Sequence, residues 1–232
     1  MNIGIIGSGQ VAQVLGGKLL ELGHNVTISS RDLDAAKDRG DRGVIPSTNG
    51  WAKAQREQGR SGAAAGSFAD AAAFGELLIN ATAGVASLDA LGAAERGDIE
   101  GKILIDLSNP LDFSGGMPPS LAFCNTESLG ERIQVAYPGA RVVKTLNTVN
   151  VNVMIAPQSL PEDTDLFVAG NDAEAKRWVT DEVLKGWLGW KRVTDLGDIT
   201  SSRGTEMYLP LWVRLWGATG TGMPNVRLVS EA

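Results

Sequence analysis

One cysteine, one histidine and two tyrosines in 232 residues leave few side chains for nucleophilic or acid–base chemistry. The lone Cys124 excludes an internal disulfide framework and points to a reducing, cytoplasmic compartment. It reads as a small buried hydrophobe rather than a nucleophile. One His and one Cys cannot form a set at metal-ligand spacing, so no metal is expected. His24 falls in a helix-to-strand turn, a structural position. There is no basic surplus: 21 Lys and Arg against 27 Asp and Glu give a net charge of −6, which argues against a nucleic-acid partner. No uncharged apolar run is long enough to cross a bilayer, so no membrane partner is expected. No signal peptide is expected either, because a strand-like run starts at once. Internal repeats and low-complexity tails are also missing.

The first thirty-one residues carry the strongest positive signal. A short apolar run, Ile3 to Ile6, meets Gly7-Ser8-Gly9-Gln10-Val11-Ala12. An amphipathic segment follows, then a second strand-like run from Asn25 to Ser29. Strand, glycine turn, helix and strand form the unit that holds a dinucleotide at a helix N-terminus. Gly7 permits the tight turn. Gly9 has no Cβ, so the backbone can approach a pyrophosphate. Ala12 lets helix and strand pack closely. The positive end of the helix then faces the anion.

The end of the second strand distinguishes NADP from NAD. An NAD site places Asp or Glu there to accept from the ribose 2′-hydroxyl. This chain has Ser30 and Arg31. A guanidinium fork and a hydroxyl suit a 2′-phosphate, whereas a carboxylate would repel it. Asp32 comes one residue later and should point elsewhere. NADP is therefore the expected dinucleotide.

The remaining chain alternates between strand and helix patterns. Asp32 to Gln58 reads as helix, interrupted at Gly43 to Pro46 and at Asn49-Gly50. Strands are expected at Ala63 to Ala65, Leu77 to Thr82, Lys102 to Leu107, Arg141 to Leu146, Asp165 to Gly170 and Lys191 to Leu196. Helices are expected at Ala71 to Phe74 after a Ser67/Asp70 start, at Ser87 to Glu95, at Ala173 to Gly186 and at Thr205 to Trp216, the last containing Pro210. This predicts a Rossmann-like, doubly wound α/β fold with a mainly parallel sheet and a small C-terminal α/β domain. The expected division is 1–148 for NADP binding and 149–232 for an acceptor cleft and dimer contact.

Ligands of such sheets bind beyond the C-terminal strand ends. Polar residues collect there: Ser8, Ser30-Arg31, Thr82, Ser108-Asn109 and Asn147-Thr148. The later ones should lie nearer the nicotinamide, where Asn and Thr can bond a carboxamide or a carbonyl. Read only as turns, Asn109-Pro110 and Asn147-Thr148 need no ligand.

On these motifs the chain resembles the NADPH:deazaflavin oxidoreductases, which move hydride to or from coenzyme F420. The resemblance runs through Gly7-Ser8-Gly9, Gly23-His24, Ser30-Arg31, the Lys102 strand with Pro110, Leu146-Asn147-Thr148 and Val168 to Asp172. The cytoplasmic reductase domain of the Steap metalloreductases is similar too, particularly at Lys144 to Val149. The resemblance implies that Ser8, Gly9, Gln10 and Val11 bind pyrophosphate and that Ser30 and Arg31 grip the 2′-phosphate. It further implies that the loop containing Ala81, Thr82 and Ala83 contacts the dinucleotide. The chain departs from the family where Ala83 and Gly84 replace bulkier Pro and Trp, where Asn147 replaces His, and over Phe113 to Asn125.

Direct hydride transfer needs no catalytic side chain, and none is expected here; Asn147 and Thr148 are the candidate polar stabilisers. Ala83, Gly84, Ser108, Asn109 and Asn147 are small enough to leave a slot for a flavin-like ring, F420 or FMN/FAD. A small-molecule dehydrogenase or imine reductase would need a proton donor, and no Lys, His or Tyr presents itself in the later strand ends. A non-catalytic NADP sensor is the other alternative. The stripe Met207, Tyr208, Leu211, Trp212, Leu215 and Trp216 reads as core or as the contact of a homodimer.

Overall fold

The structure is a computed structural model and describes residues 1–38 and 43–230. Backbone contacts group the chain into two compact units, Met1–Ile105 with Tyr137–Ala140, and Asp106–Ala136 with Arg141–Ala232.

The first unit contains β1 (Asn2–Ile6), α1 (Gln10–Glu21), β2 (Asn25–Ser29), β3 (Lys37–Asp38), β4 (Val44–Ile45), α2 (Thr48–Glu57), β5 (Ala63–Gly66), α3 (Phe68–Phe74), β6 (Leu77–Asn80) and α4 (Ser87–Gly92), and most of β7 (Ile103–Asp106). β6, β1, β2 and β5 are neighbours in that order and run parallel, with β7 beside β6. Ile3, Ile5 and Ile6 are fully buried, as are Val26, Ile28 and Leu78. Continuous burial is the mark of strands covered on both faces, and it explains why these segments read as apolar runs rather than alternating ones. Gly4 lets α3 approach β1, since a Cβ there would lie 2.0 Å from the Ala71 carbonyl oxygen. Trp51 of α2 lies against Gly16 of α1 and donates from its indole nitrogen to the Gln13 carbonyl at 3.1 Å.

The expected helix over Asp32 to Gln58 is corrected. Among the described residues of that span only Thr48–Glu57 is helical, while Lys37–Asp38 and Val44–Ile45 pair as a short antiparallel ladder. The Asp32 carboxylate accepts from the backbone N–H groups of Asp34 and Ala35, a turn that competes with helix. Pro46 and Ser47 then start α2, with the Ser47 hydroxyl accepting from Gly50. Part of the expected helix, 39–42, lies outside the described residues.

The second unit contains β8 (Leu111–Asp112), β9 (Ser120–Leu121), α5 (Leu129–Ala136), β10 (Arg141–Thr145), α6 (Val151–Ile155), β11 (Asp165–Ala169), α7 (Ala173–Trp178), β12 (Arg192–Asp195) and α8 (Ser202–Thr219). β10 pairs with β11 antiparallel and β11 with β12 parallel. The expected helix from Ala173 is present, but from Val179 to Trp187 it widens into a π-helical segment. α8 starts at Ser202 and runs unbroken past Pro210. Cys124 is exposed, not buried; it lies in the loop between β9 and α5, next to Asn125 at φ 67°. The α/β, Rossmann-like, mainly parallel arrangement read from the sequence is the one present.

Candidate functional site

In the first unit the C-terminal ends of β1, β2 and β6 open onto a cleft of ≈ 540 Å³. Gly7, Ser8 and Gly9 line it after β1, Ser30 and Arg31 after β2, and Ala81, Thr82 and Ala83 after β6. Eight of the expected contact residues thus share one cavity. Gln10 and Val11 stand in the first turn of α1 without lining it.

The two turn glycines differ physically. Gly7 has φ 132°, and a Cβ would sit 2.5 Å from the Ala81 carbonyl oxygen. Glycine is required there by the chain itself. Gly9 has φ −73°, which any residue adopts, and a Cβ would meet nothing within 4 Å. The protein does not need glycine at position 9. A molecule lying close to the backbone in that space would.

The turn is fixed from behind. The Ser29 hydroxyl donates to the Ile5 carbonyl at 2.8 Å and accepts from the Gly7 N–H at 3.4 Å. Gln13 donates its side-chain amide to the carbonyls of Ser8 (3.1 Å) and Pro46 (2.8 Å). On the β6 side, Thr82 donates to the Asn80 amide oxygen at 2.9 Å and contacts the Ser87 hydroxyl at 2.7 Å. Asn80 also donates to Ser87 at 3.0 Å. This buried clasp sets the path of Ala81 to Ala86.

Two bases line the cleft, alongside the carboxylates of Asp32 and Asp89. Arg31 is exposed and has no carboxylate partner among the described residues. Lys37, which sequence reasoning missed, also lines the cleft, and its Nζ lies 3.4 Å from the Ser8 hydroxyl. The sequence pattern predicts helix over this segment, and on a helix Lys37 is an ordinary surface lysine. Ser30 donates to the Asp32 carbonyl at 2.7 Å and contacts the Thr48 hydroxyl at 2.8 Å, so its hydroxyl also braces the loop. Asp32 lines the cleft as well, with its carboxylate turned onto its own backbone.

Ser108, Asn109, Asn147 and Thr148 belong to the second unit. Asn109 donates to the Asn147 carbonyl at 2.8 Å, and Asn147 donates its amide to the Asn109 amide oxygen at 2.9 Å. Each side chain therefore holds the other's segment. Leu146, at φ 61°, makes the bend that brings Asn147 to this position. Thr148 is 2 % exposed, and its hydroxyl has no hydrogen-bond partner among the described residues. Directly below lies a fully buried charge cluster. The Lys144 ammonium contacts carboxylate oxygens of Asp106 at 2.8 Å and Glu206 at 2.9 Å, and it also donates to the Ser108 carbonyl. Glu206 accepts further from the N–H groups of Leu129 and Gly130 at 2.8 and 3.1 Å. Burial opposes the charge on Lys144, but Asp106 and Glu206 outweigh it and hold its pKa above the ordinary lysine value.

Residues 2–110 match the family described as NADP oxidoreductase, coenzyme F420-dependent. A crystal structure of a candidate F420-dependent NADP reductase from Arthrobacter sp. FB24 is 46% identical, covers 99% of this chain and 100% of its own, and superposes with a TM-score of 0.89. The chain belongs to the F420-dependent NADP oxidoreductase family. The F420-dependent NADP reductase of Methanocaldococcus jannaschii is 31% identical over 130 residues, 54% of this chain and 57% of that protein. The match thus spans little more than half of that curated relative. A reductive aminase from Aspergillus terreus in complex with NADPH is 18% identical, with a TM-score of 0.61 over 94% of this chain and 62% of its own, which shows a shared fold. Among the described residues there is no His, Cys, Asp and Glu grouping that could hold a metal. No helix of the described residues is long and apolar enough to cross a membrane.

Proposed function

We propose that the chain transfers a hydride between NADP(H) and the deazaflavin coenzyme F420. The observation that carries this is the cleft of the first unit, where a glycine whose absent side chain the protein does not need adjoins two basic residues. The residues present fit NADP. The Gly9 backbone and the start of α1 would take the pyrophosphate. Arg31, Lys37 and Ser30 would take the 2′-phosphate, and Ala81, Thr82 and Ala83 would border the dinucleotide. Ser108 and Asn109 remain proposed contacts on the nicotinamide side.

The bound dinucleotide supplies the hydride. The chain's own work is to position the rings, keep water out and place hydrogen-bond donors where charge develops on the acceptor. The Asn147 amide and the Thr148 hydroxyl are the proposed donors, the hydroxyl being buried and without a hydrogen-bond partner among the described residues. No side chain is required as nucleophile or general acid. Residues 1–148 are the proposed NADP-binding part. Residues 149–232 are the proposed acceptor and dimer part, supported by the exposed Met207, Leu211 and Trp216 of α8. A reducing, cytoplasmic location is proposed from the single cysteine.

The test is anaerobic mixing of the protein and NADPH with F420, with FMN or FAD, with an imine, or with no acceptor. NADPH absorbance should fall fastest with F420. Turnover only with FMN or FAD would move the assignment to a flavin, turnover only with the imine would support a small-molecule reductase, and tight NADPH binding without turnover would support a sensor.

A further inference from the structure

One wall of the cleft holds a carboxylate to which NADP binding as described gives no role. Ala86, Asp89, Ala90 and Ala93 all line it, and their spacing puts them on one side of the α4 segment. Phe68 at the start of α3 lines the same cleft. Three alanines and a phenylalanine make an apolar surface on which a flat ring can lie. Asp89 alone among these five has a side chain that can hydrogen-bond. It is exposed and has no hydrogen-bond or ion-pair partner among the described residues.

A free carboxylate is an unfavourable lining for a cleft that collects phosphates, unless it faces a donor. The apolar wall around it would exclude water from one face of any ring placed there, which strengthens a hydrogen bond at the ring's edge. A 6-aminopurine presents an N–H donor at that edge. A 6-oxopurine puts an acceptor oxygen at that position, which the carboxylate would repel, and moves its donor to the ring N1–H. We propose that Asp89 reads the base of the dinucleotide, accepting from the exocyclic amino group of an adenine laid against Phe68, Ala90 and Ala93. This assignment rests on the NADP reading of the cleft. It makes Asp89 a specificity-determining residue, one that selects the purine rather than the 2′-phosphate.

The experiment is a fluorescence titration of the wild type, Asp89→Ala and Asp89→Asn with NADPH, with reduced nicotinamide hypoxanthine dinucleotide phosphate and with NADH. The wild type should bind the hypoxanthine analogue about tenfold more weakly than NADPH, the loss set by one hydrogen bond to a charged acceptor. Asp89→Ala should bring the two within about twofold by weakening NADPH. Asp89→Asn should also narrow the gap, because an amide can donate to a carbonyl as well as accept from an amine. The NADPH-to-NADH ratio should be unchanged in both variants. An unchanged base preference in Asp89→Ala would overturn the proposal. So would a parallel gain in affinity for both dinucleotides, which would mean the carboxylate acts only through its charge. If the wild type bound NADPH without discriminating the base, only the role of Asp89 would fall. If it bound none of the three, the NADP reading itself would fall.

Discussion

Replacing Gly9 by valine and Gly7 by alanine should damage the protein in opposite ways, although the two residues share one turn. At position 9 the backbone is extended at φ −73°, and an added Cβ would have no neighbour within 4 Å. The cost to folding is the weaker N-cap, about 1 kcal/mol. The branched side chain would, however, occupy the space of the pyrophosphate. Each lost N–H contact to a charged oxygen is worth about 1.5–3 kcal/mol, so NADPH affinity should fall about 10- to 150-fold for one such contact. At position 7 the balance reverses. Its φ of 132° is a glycine conformation, and a Cβ would lie 2.5 Å from the Ala81 oxygen and 2.8 Å from the Ala81 carbon. Both are backbone atoms and cannot swing aside. The strain alone is of order 1–3 kcal/mol, and the clash adds to it. Urea unfolding should therefore show a loss of about 3 kcal/mol or more for Gly7→Ala and little loss for Gly9→Val. NADPH titration should show affinity lowered at least about tenfold for Gly9→Val at near-native circular dichroism. Wild-type affinity in Gly9→Val would remove the dinucleotide from this turn, and wild-type stability in Gly7→Ala would refute the steric argument.

Arg31→Ala and Lys37→Ala should each weaken NADPH about tenfold or more while leaving NADH nearly unchanged, as judged by paired titrations; equal losses for both dinucleotides would remove these bases from the 2′-phosphate. Lys144→Met should leave the Asp106 and Glu206 carboxylates buried without their cation and cost about 3–5 kcal/mol in denaturant unfolding; a loss under about 1 kcal/mol would show that the cluster rearranges freely. The Arg141 guanidinium, donating at 2.7 Å, holds the Asp172 carboxyl at about 2 against an ordinary 3.8. A depressed carboxyl stabilises the fold above its unfolded pKa, and that contribution is lost as pH falls from about 4 through 2. Asp172→Asn should accordingly flatten the stability profile in that window, and an unchanged acid limb would contradict the pairing.

The strands were legible because burial on both faces leaves a continuous apolar signature, as in Ile3 to Ile6 and Leu77 to Ile79. The glycine turn and Ser30-Arg31 were legible because their chemistry is local. Three features were not. The loop after Arg31 read as helix because its composition is polar and alanine-rich, while the Asp32 turn that breaks it depends on one side-chain rotamer. Lys37 was lost with it, since only the non-helical path brings it within 3.4 Å of Ser8. The Lys144, Asp106 and Glu206 cluster joins residues up to 100 positions apart in the chain, and no periodicity marks such a meeting. Asn147 gives one amide N–H to the Asn109 oxygen, and Thr148 beside it keeps a buried hydroxyl with no hydrogen-bond partner among the described residues.

The central claim is direct hydride transfer between the nicotinamide and a deazaflavin, and isotope transfer tests it most directly. NADPH carrying deuterium at both C4 positions is mixed anaerobically with the protein and F420 in ordinary water, and the reduced F420 is analysed by mass spectrometry. The account predicts one deuterium in each reduced F420 molecule, with transfer lost in Gly9→Val. Reduced F420 without the label, or NADPH left unconsumed while bound, would contradict it.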